Sequence, residues 1–212
     1  MEGSGKMKKD WKYILYLSLA FGLVVVVKLI SPKQYNWTVT FAHEDKNPYG
    51  TYALNSLLPS AFPKKEIEHS YETLYELKDS LKRKGNILII SSEFVSAKED
   101  TDALLRHVSE GGAVFISAQR FYGTFSDTLK ITTADILWKQ GQIFNQRDTA
   151  HLHFVNPSLD TSMYFYYRRD NIYNYFNRFD TTRTTVLARN DLGNPVSLLV
   201  KWGKGNIYLM KI

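Results

Sequence analysis

Residues 86–117 read NILIISSEFVSAKEDTDALLRHVSEGGAVFIS, and the order of patterns in them decides the fold class. NILII at 86–90 is a continuous apolar run, the signature of a strand covered on both faces in a parallel sheet. Ser96 and Glu99 have the spacing of a capping box, which predicts an amphipathic helix turning Leu104, Leu105 and Val108 inward. Gly111 and Gly112 stop that helix, and AVFIS at 113–117 is a second buried strand. A strand, a helix and a strand in this order form the repeating unit of a mostly parallel α/β sheet with right-handed crossovers.

Working toward the amino terminus, residues 73–84 predict a helix with Leu74, Leu77 and Leu81 inward, closed by Gly85. Residues 66–72 predict a short strand with Ile67, His69 and Tyr71 on one face. WTVTF at 37–41 is rich in β-branched and aromatic residues and reads as the first strand. HEDKNP at 43–48 follows as a loop, in which Asn47 or Asp45 caps a helix whose first turn holds Pro48. Tyr52, Leu54, Leu57 and Leu58 give that helix its apolar stripe, and Pro59 and Pro63 end it.

Toward the carboxyl terminus the alternation fades. A short helix is expected within 125–137, then strands at 142–145, 151–155, 184–188, 196–202 and 206–210. DLGNP at 191–195 and GKG at 203–205 are turns between them. The second half thus adds antiparallel strands to one side of the sheet.

Before all of this lies Trp11–Ile30, WKYILYLSLAFGLVVVVKLI, uncharged from Tyr13 to Val27. Twenty helical residues span about 30 Å, one hydrocarbon thickness. Trp11, Tyr13 and Tyr16 gather at one end as an interfacial belt, and no small-x-small cleavage pattern follows Val27. The segment reads as an uncleaved anchor in contact with membrane lipid. Lys6, Lys8, Lys9 and Lys12 precede or open it, against Lys28 and Lys33 at its far end, so the tail 1–10 stays in the cytoplasm. The expected location is the inner membrane, with residues 37–212 facing the periplasm after a linker at 31–36.

Charge supports this division. The chain carries +6 formally, but residues 1–33 hold six lysines against Glu2 and Asp10, leaving 21 basic and 19 acidic residues elsewhere. A domain at +2 lacks the electrostatic footprint of nucleic-acid binding, despite the interleaved tyrosines and arginines of 164–178. With no cysteine in 212 residues, disulfides, thiolate nucleophiles and cysteine metal sites are excluded. No GxGxxG or Walker loop is present, and no cofactor is implied.

Several segments together resemble the uncharacterised domain-of-unknown-function 4350 family. They are DKNPYGTYAL at 45–54, NILII at 86–90, the 100–108 helix running into GGAVFI at 111–116, FDTT at 179–182 and GKGNIYL at 203–209. The resemblance covers essentially the whole chain after the anchor. It implies a flavodoxin-like, class I glutamine-amidotransferase-like fold in the inner membrane, continued after the Gly-Lys-Gly strand by a second membrane helix. It implies no established activity, and a role in binding or scaffolding beside other membrane proteins.

The candidate ligand- or partner-binding residues fall in two groups. Asp45, Lys46, Asn47 and Tyr49 belong to the loop after the first expected strand, where open α/β sheets bind ligands and a helix start can receive an anion. The competing role for this loop is purely structural, with Asn-Pro as the helix cap and Gly50 allowing close packing. Ser91, Ser92 and Glu93 occupy an expected loop after NILII, at the position of an amidotransferase-type nucleophile elbow. No Gly-x-Ser-x-Gly spacing surrounds them, so no catalytic residue is assigned. His151 and His153 share one face of a strand, but no third ligand stands at partner spacing, so no metal site is assigned. The expected function is a non-catalytic, membrane-anchored domain that binds a partner protein or envelope ligand. The alternatives are a hydrolase using Ser91 or Ser92 and a small-anion sensor using Lys46.

Overall fold

The computed structural model describes residues 4–32, 36–79, 85–135, 150–167 and 174–211. Its centre is a seven-stranded sheet in the order β1-β2-β9-β8-β7-β4-β5. The strands are β1 (Ile87–Ser96), β2 (Ala113–Gly123), β4 (Ala150–Phe154), β5 (Tyr164–Tyr167), β7 (Thr184–Asn190), β8 (Pro195–Trp202) and β9 (Gly205–Met210). Two further strands, β3 (Thr132–Asp135) and β6 (Asn174–Arg178), form a separate antiparallel ribbon. The fold is therefore mixed α/β, as the sequence predicts. Among the described residues, parallel pairing is confined to β1-β2 and β2-β9, and every later pair is antiparallel.

The crossover between β1 and β2 is α3 (Lys98–Ser109), which buries Thr101, Leu104, Leu105, His107 and Val108. Leu104 and Val108 meet Val114, Ile116, Leu198, Ile207 and Leu209 in one core, all fully buried. Phe94, Phe121, Phe125 and Phe176 extend it, with Phe94 and Phe125 edge to face at 4.9 Å. Phe125 comes from α4 (Thr124–Leu129), the short helix anticipated within 125–137. The glycines of GKG carry a packing requirement. Gly203 sits at φ +57, and a Cβ on Gly205 would stand 2.1 Å from the Gly112 carbonyl oxygen. Lys204 N–H donates to Ser109 O, so the β8–β9 turn locks directly onto the end of α3.

Several expectations need correction. Ser96 does not cap α3. Its hydroxyl hydrogen bonds with that of Thr101 at 2.7 Å, both residues buried, and Ala97 occupies the cap position without a side-chain bond. NILII is not covered on both faces: among the described residues β1 is the sheet's edge strand, and Leu88 is 43% exposed. Segments 37–41 and 66–72 form no strand. Phe41 takes a left-handed φ of +49 and gives its N–H to Tyr49 O, which turns the chain back on itself before any sheet pairing. Of the expected helix 73–84, only a single 3₁₀ turn, Glu76–Asp79, is formed within the described residues. The expected strand 142–145 and Leu81 lie outside them. Aromatic residues at 164–167 and 174–178 turn out to be strands β5 and β6, which their composition alone does not distinguish from a connection.

The amino-terminal helix α1 runs Ser4–Ile30, and Trp11–Ile30 is long and apolar enough to cross a membrane. This fits a membrane anchor or a signal sequence.

Candidate functional site

Because β1, β2 and β9 run parallel, their carboxyl ends lie at one edge of the sheet, where open α/β sheets characteristically receive ligands. Glu93 on β1 and Arg120 on β2 are register partners there. The Arg120 guanidinium lies 3.5 Å from Glu93 Oε1 and 3.7 Å from Asp135 Oδ2 of β3, bridging two carboxylates from different elements. Asp135 is mostly covered, while Arg120 and Glu93 each keep about half their side chain in solvent. Hydrogen bonding to Glu93 raises the Tyr122 phenol above its usual range.

Lys211 lies beneath this surface network, immediately after β9. Only 5% of it is exposed. Its ammonium donates to Gln119 O and lies 5.6 and 5.7 Å from the Phe121 and Phe176 ring centres. Asn174 Nδ2 donates to the same carbonyl at 3.4 Å. Burial pushes the Lys211 pKa down to about 8; the Asp135 carboxylate opposes the shift and the Arg120 charge adds to it. Two cations and two anions thus occupy one sheet edge, the outer members of the set half open to water. Such a set can exchange an internal ion pair for a charged group on a partner.

Of the residues singled out in the sequence, Glu93 belongs to this edge. Ser91 and Ser92 do not form a strand-to-helix elbow, because β1 continues through them to Ser96. The Ser91 hydroxyl donates to Glu93 O, a local strand contact. Asp45, Lys46, Asn47 and Tyr49 form a separate system. The Asp45 carboxylate accepts from Thr40 Oγ1 at 2.5 Å and from Asn47 N–H and Nδ2 at 2.9 and 2.8 Å. The Thr40 hydroxyl and the Asn47 N–H hold its pKa below the usual carboxylate value.

Asp45 and Asn47 therefore close a turn and do not cap a helix. Pro48 lies in that turn, and α2 (Tyr52–Ala61) begins after Thr51 and keeps Pro59 inside it. A Cβ on Gly50 would fall 2.0 Å from Asp45 O, which explains the glycine. Lys46 lies 4.5 Å over the Tyr52 ring, and Tyr49 meets Trp37 edge to face at 6.2 Å. His151 and His153 do share a face of β4, their rings 6.3 Å apart and flanked by Tyr164 and Tyr166. Among the described residues no group of three or more His, Asp or Glu could hold a metal.

Arg120, Tyr122, Asp135 and Lys211 were missed in the sequence. For Lys211 a signal exists: Ile207, Leu209 and Lys211 alternate with more exposed neighbours, so period two places the lysine on the buried side. Asp135 carries no such mark.

No family model matches the chain, and no curated protein does. Solved structures resemble it distantly. A β-galactosidase from Bacillus circulans sp. alkalophilus is 15% identical with a TM-score of 0.41, over 61% of this chain and 20% of that one. An exo-β-1,4-mannosidase from Opitutaceae bacterium strain TAV5 is 13% identical with a TM-score of 0.36, over 58% and 20%. A cytoplasmic protein from Salmonella typhimurium LT2 is 11% identical with a TM-score of 0.46, over 73% of this chain and 74% of that one. The chain spans about a fifth of the length of the two glycosidases. Likeness this distant says nothing of chemistry, and it does not extend to the flavodoxin-like or amidotransferase-like assignment.

Proposed function

We propose that this is a non-catalytic, membrane-anchored domain that binds a partner protein or envelope ligand through the carboxyl edge of its parallel strands. The observation that carries the reading is Arg120, bridged to Glu93 and Asp135 yet half exposed, at the edge where open sheets take ligands. The resemblance of 45–54, 86–90, 111–116 and 203–209 to the domain-of-unknown-function 4350 family supports a binding role. So does the helix Trp11–Ile30, which as an uncleaved anchor would tether the domain to the inner membrane, facing the periplasm.

The test is affinity capture of the full chain from detergent-solubilised membranes, followed by Arg120→Ala and by the reciprocal pair Glu93→Gln with Asp135→Asn. A membrane partner retained by the native chain and lost from both variants, with folding intact by circular dichroism, supports the reading. Labelling of Ser91 or Ser92 by a fluorophosphonate probe would overturn it in favour of a hydrolase. Protease accessibility of the domain in spheroplasts tests the orientation, and protection there would reverse it.

A further inference from the structure

Helix α2 has the composition of a buried helix and the exposure of a surface one. Residues 49–63, YGTYALNSLLPSAFP, contain no charged side chain. Yet α2 buries none of its residues: Tyr52, Leu54, Leu57 and Phe62 at its end are 40–63% exposed. Trp37, Val39 and Tyr49 add exposed apolar surface from the loop that leads into it. Exposed apolar side chains concentrated in one short segment in this way mark an interaction site, which needs a covering surface.

The chain's own connectivity says what. Phe41 N–H donates to Tyr49 O at 2.9 Å, Thr51 N–H to Ala42 O at 3.0 Å, and Thr51 Oγ1 to Phe41 O at 3.0 Å. These bonds tie the start of α2 to residues 41 and 42. Phe41 lies eleven positions after Ile30, the end of the membrane-grade helix, so even a fully extended chain between them reaches only about 40 Å. With Trp11–Ile30 in a bilayer, the tether would keep this segment within that reach of the surface. Its residues are those that partition there: Trp37, Tyr49, Tyr52 and Phe62 as interfacial aromatics, with Leu54 and Leu57 between them. In the loop before the helix Glu44 and Asp45 stand against Lys46, and the exposed residues that follow, Lys64, Lys65, Glu66 and Glu68, balance in charge, so apolar burial is the attraction and anionic lipid is not required.

We infer that α2 and the loop before it form a membrane-interface segment, seated in the headgroup layer next to Trp11–Ile30. This rests on Trp11–Ile30 being a retained anchor. The absence of cysteine makes the test direct, because single substitutions can be labelled with an environment-sensitive fluorophore. The full chain would be reconstituted in phosphatidylcholine vesicles as Leu57→Cys, with Val24→Cys in the anchor and Leu192→Cys in the exposed β7–β8 turn as references.

The expected result is that the Leu57 label emits at shorter wavelength than the Leu192 label and is quenched by shallow spin-labelled lipid. Its iodide quenching should be several-fold weaker than at Leu192, and unchanged by salt or anionic lipid. Iodide quenching equal at the two positions would overturn the inference. Shielding from both iodide and spin-labelled lipid would also overturn it, assigning the face to protein contact. The Val24 label separates the premise: lipid quenching there with none at Leu57 leaves the anchor standing and removes only the interface segment, whereas loss at Val24 removes the anchor itself.

Discussion

Replacing Lys211 with methionine should stabilise the domain at neutral pH and erase one component of its alkaline pH dependence. Lys211 is 5% exposed and its pKa falls from 10.5 to about 8, mainly through burial. A lysine with a depressed folded-state pKa binds its proton less tightly folded than unfolded. Below pH 8 both states are protonated and the fold carries the full cost of burying the charge. Between pH 8 and 10.5 the unfolded state binds more protons, so stability rises with pH, and above 10.5 the cost is gone. A fall from 10.5 to about 8 corresponds to about 3 kcal/mol.

Lys211→Met removes that cost, but it also removes the hydrogen bond to Gln119 O and the contacts with the Phe121 and Phe176 rings, together about 1–2 kcal/mol. The carbonyl keeps Asn174 as a donor. The net expectation is a gain of about 1–2 kcal/mol at pH 7, shrinking and then reversing as pH approaches 10.5. Urea unfolding of native and variant chains in detergent, followed by tryptophan fluorescence from pH 7 to 10.5, measures it. Taking the difference between the two chains cancels other titrating groups, Tyr122 among them. Parallel stability curves would refute the reasoning, and a variant weaker at every pH would show that Asp135 and the rings fully compensate the buried charge.

Two further outcomes are expected. Gly205→Ala should lower thermal stability by more than a typical surface change, at least about 2 kcal/mol, because the new Cβ would stand 2.1 Å from Gly112 O and 2.3 Å from Val108 O; a melting temperature unchanged by calorimetry would refute this. Asp45→Ala should open the 40–51 turn to limited proteolysis while leaving the sheet's melting intact. In the native chain the same opening should appear on acidification, since a lowered carboxylate pKa gives stability that is present above the usual value and lost as pH falls through the folded one.

The Gly-Lys-Gly turn shows how a sequence motif and its cause can separate. The glycines are conspicuous in the sequence as turn residues, but the reason they are glycines is the end of α3, which packs against them. DKNPYG behaves the same way. Its place after an expected strand and beside a helix start suggests a ligand loop, yet Asp45 is satisfied by Thr40 and Asn47, and Gly50 makes room for the Asp45 carbonyl. Glu93 was visible as a candidate, but as part of a loop with two serines, when in fact a strand carries it to Arg120. Nothing in the sequence links Glu93 to Asp135, more than 40 positions away, because Arg120 joins them only after β2 and β3 are in place.

What depends on near neighbours along the chain is legible in the residues alone. Apolar periodicity produced β1, α3, β2 and the late strands, and an uncharged run of helical length produced Trp11–Ile30. Tertiary structure alone decided which strands pair, that NILII is an edge, and that 37–41 never joins the sheet. It also buried Lys211 beside Asp135 and left α2 bare. These outcomes turn on long-range competition for sheet edges and core surface, and residue spacing does not encode which competitor wins.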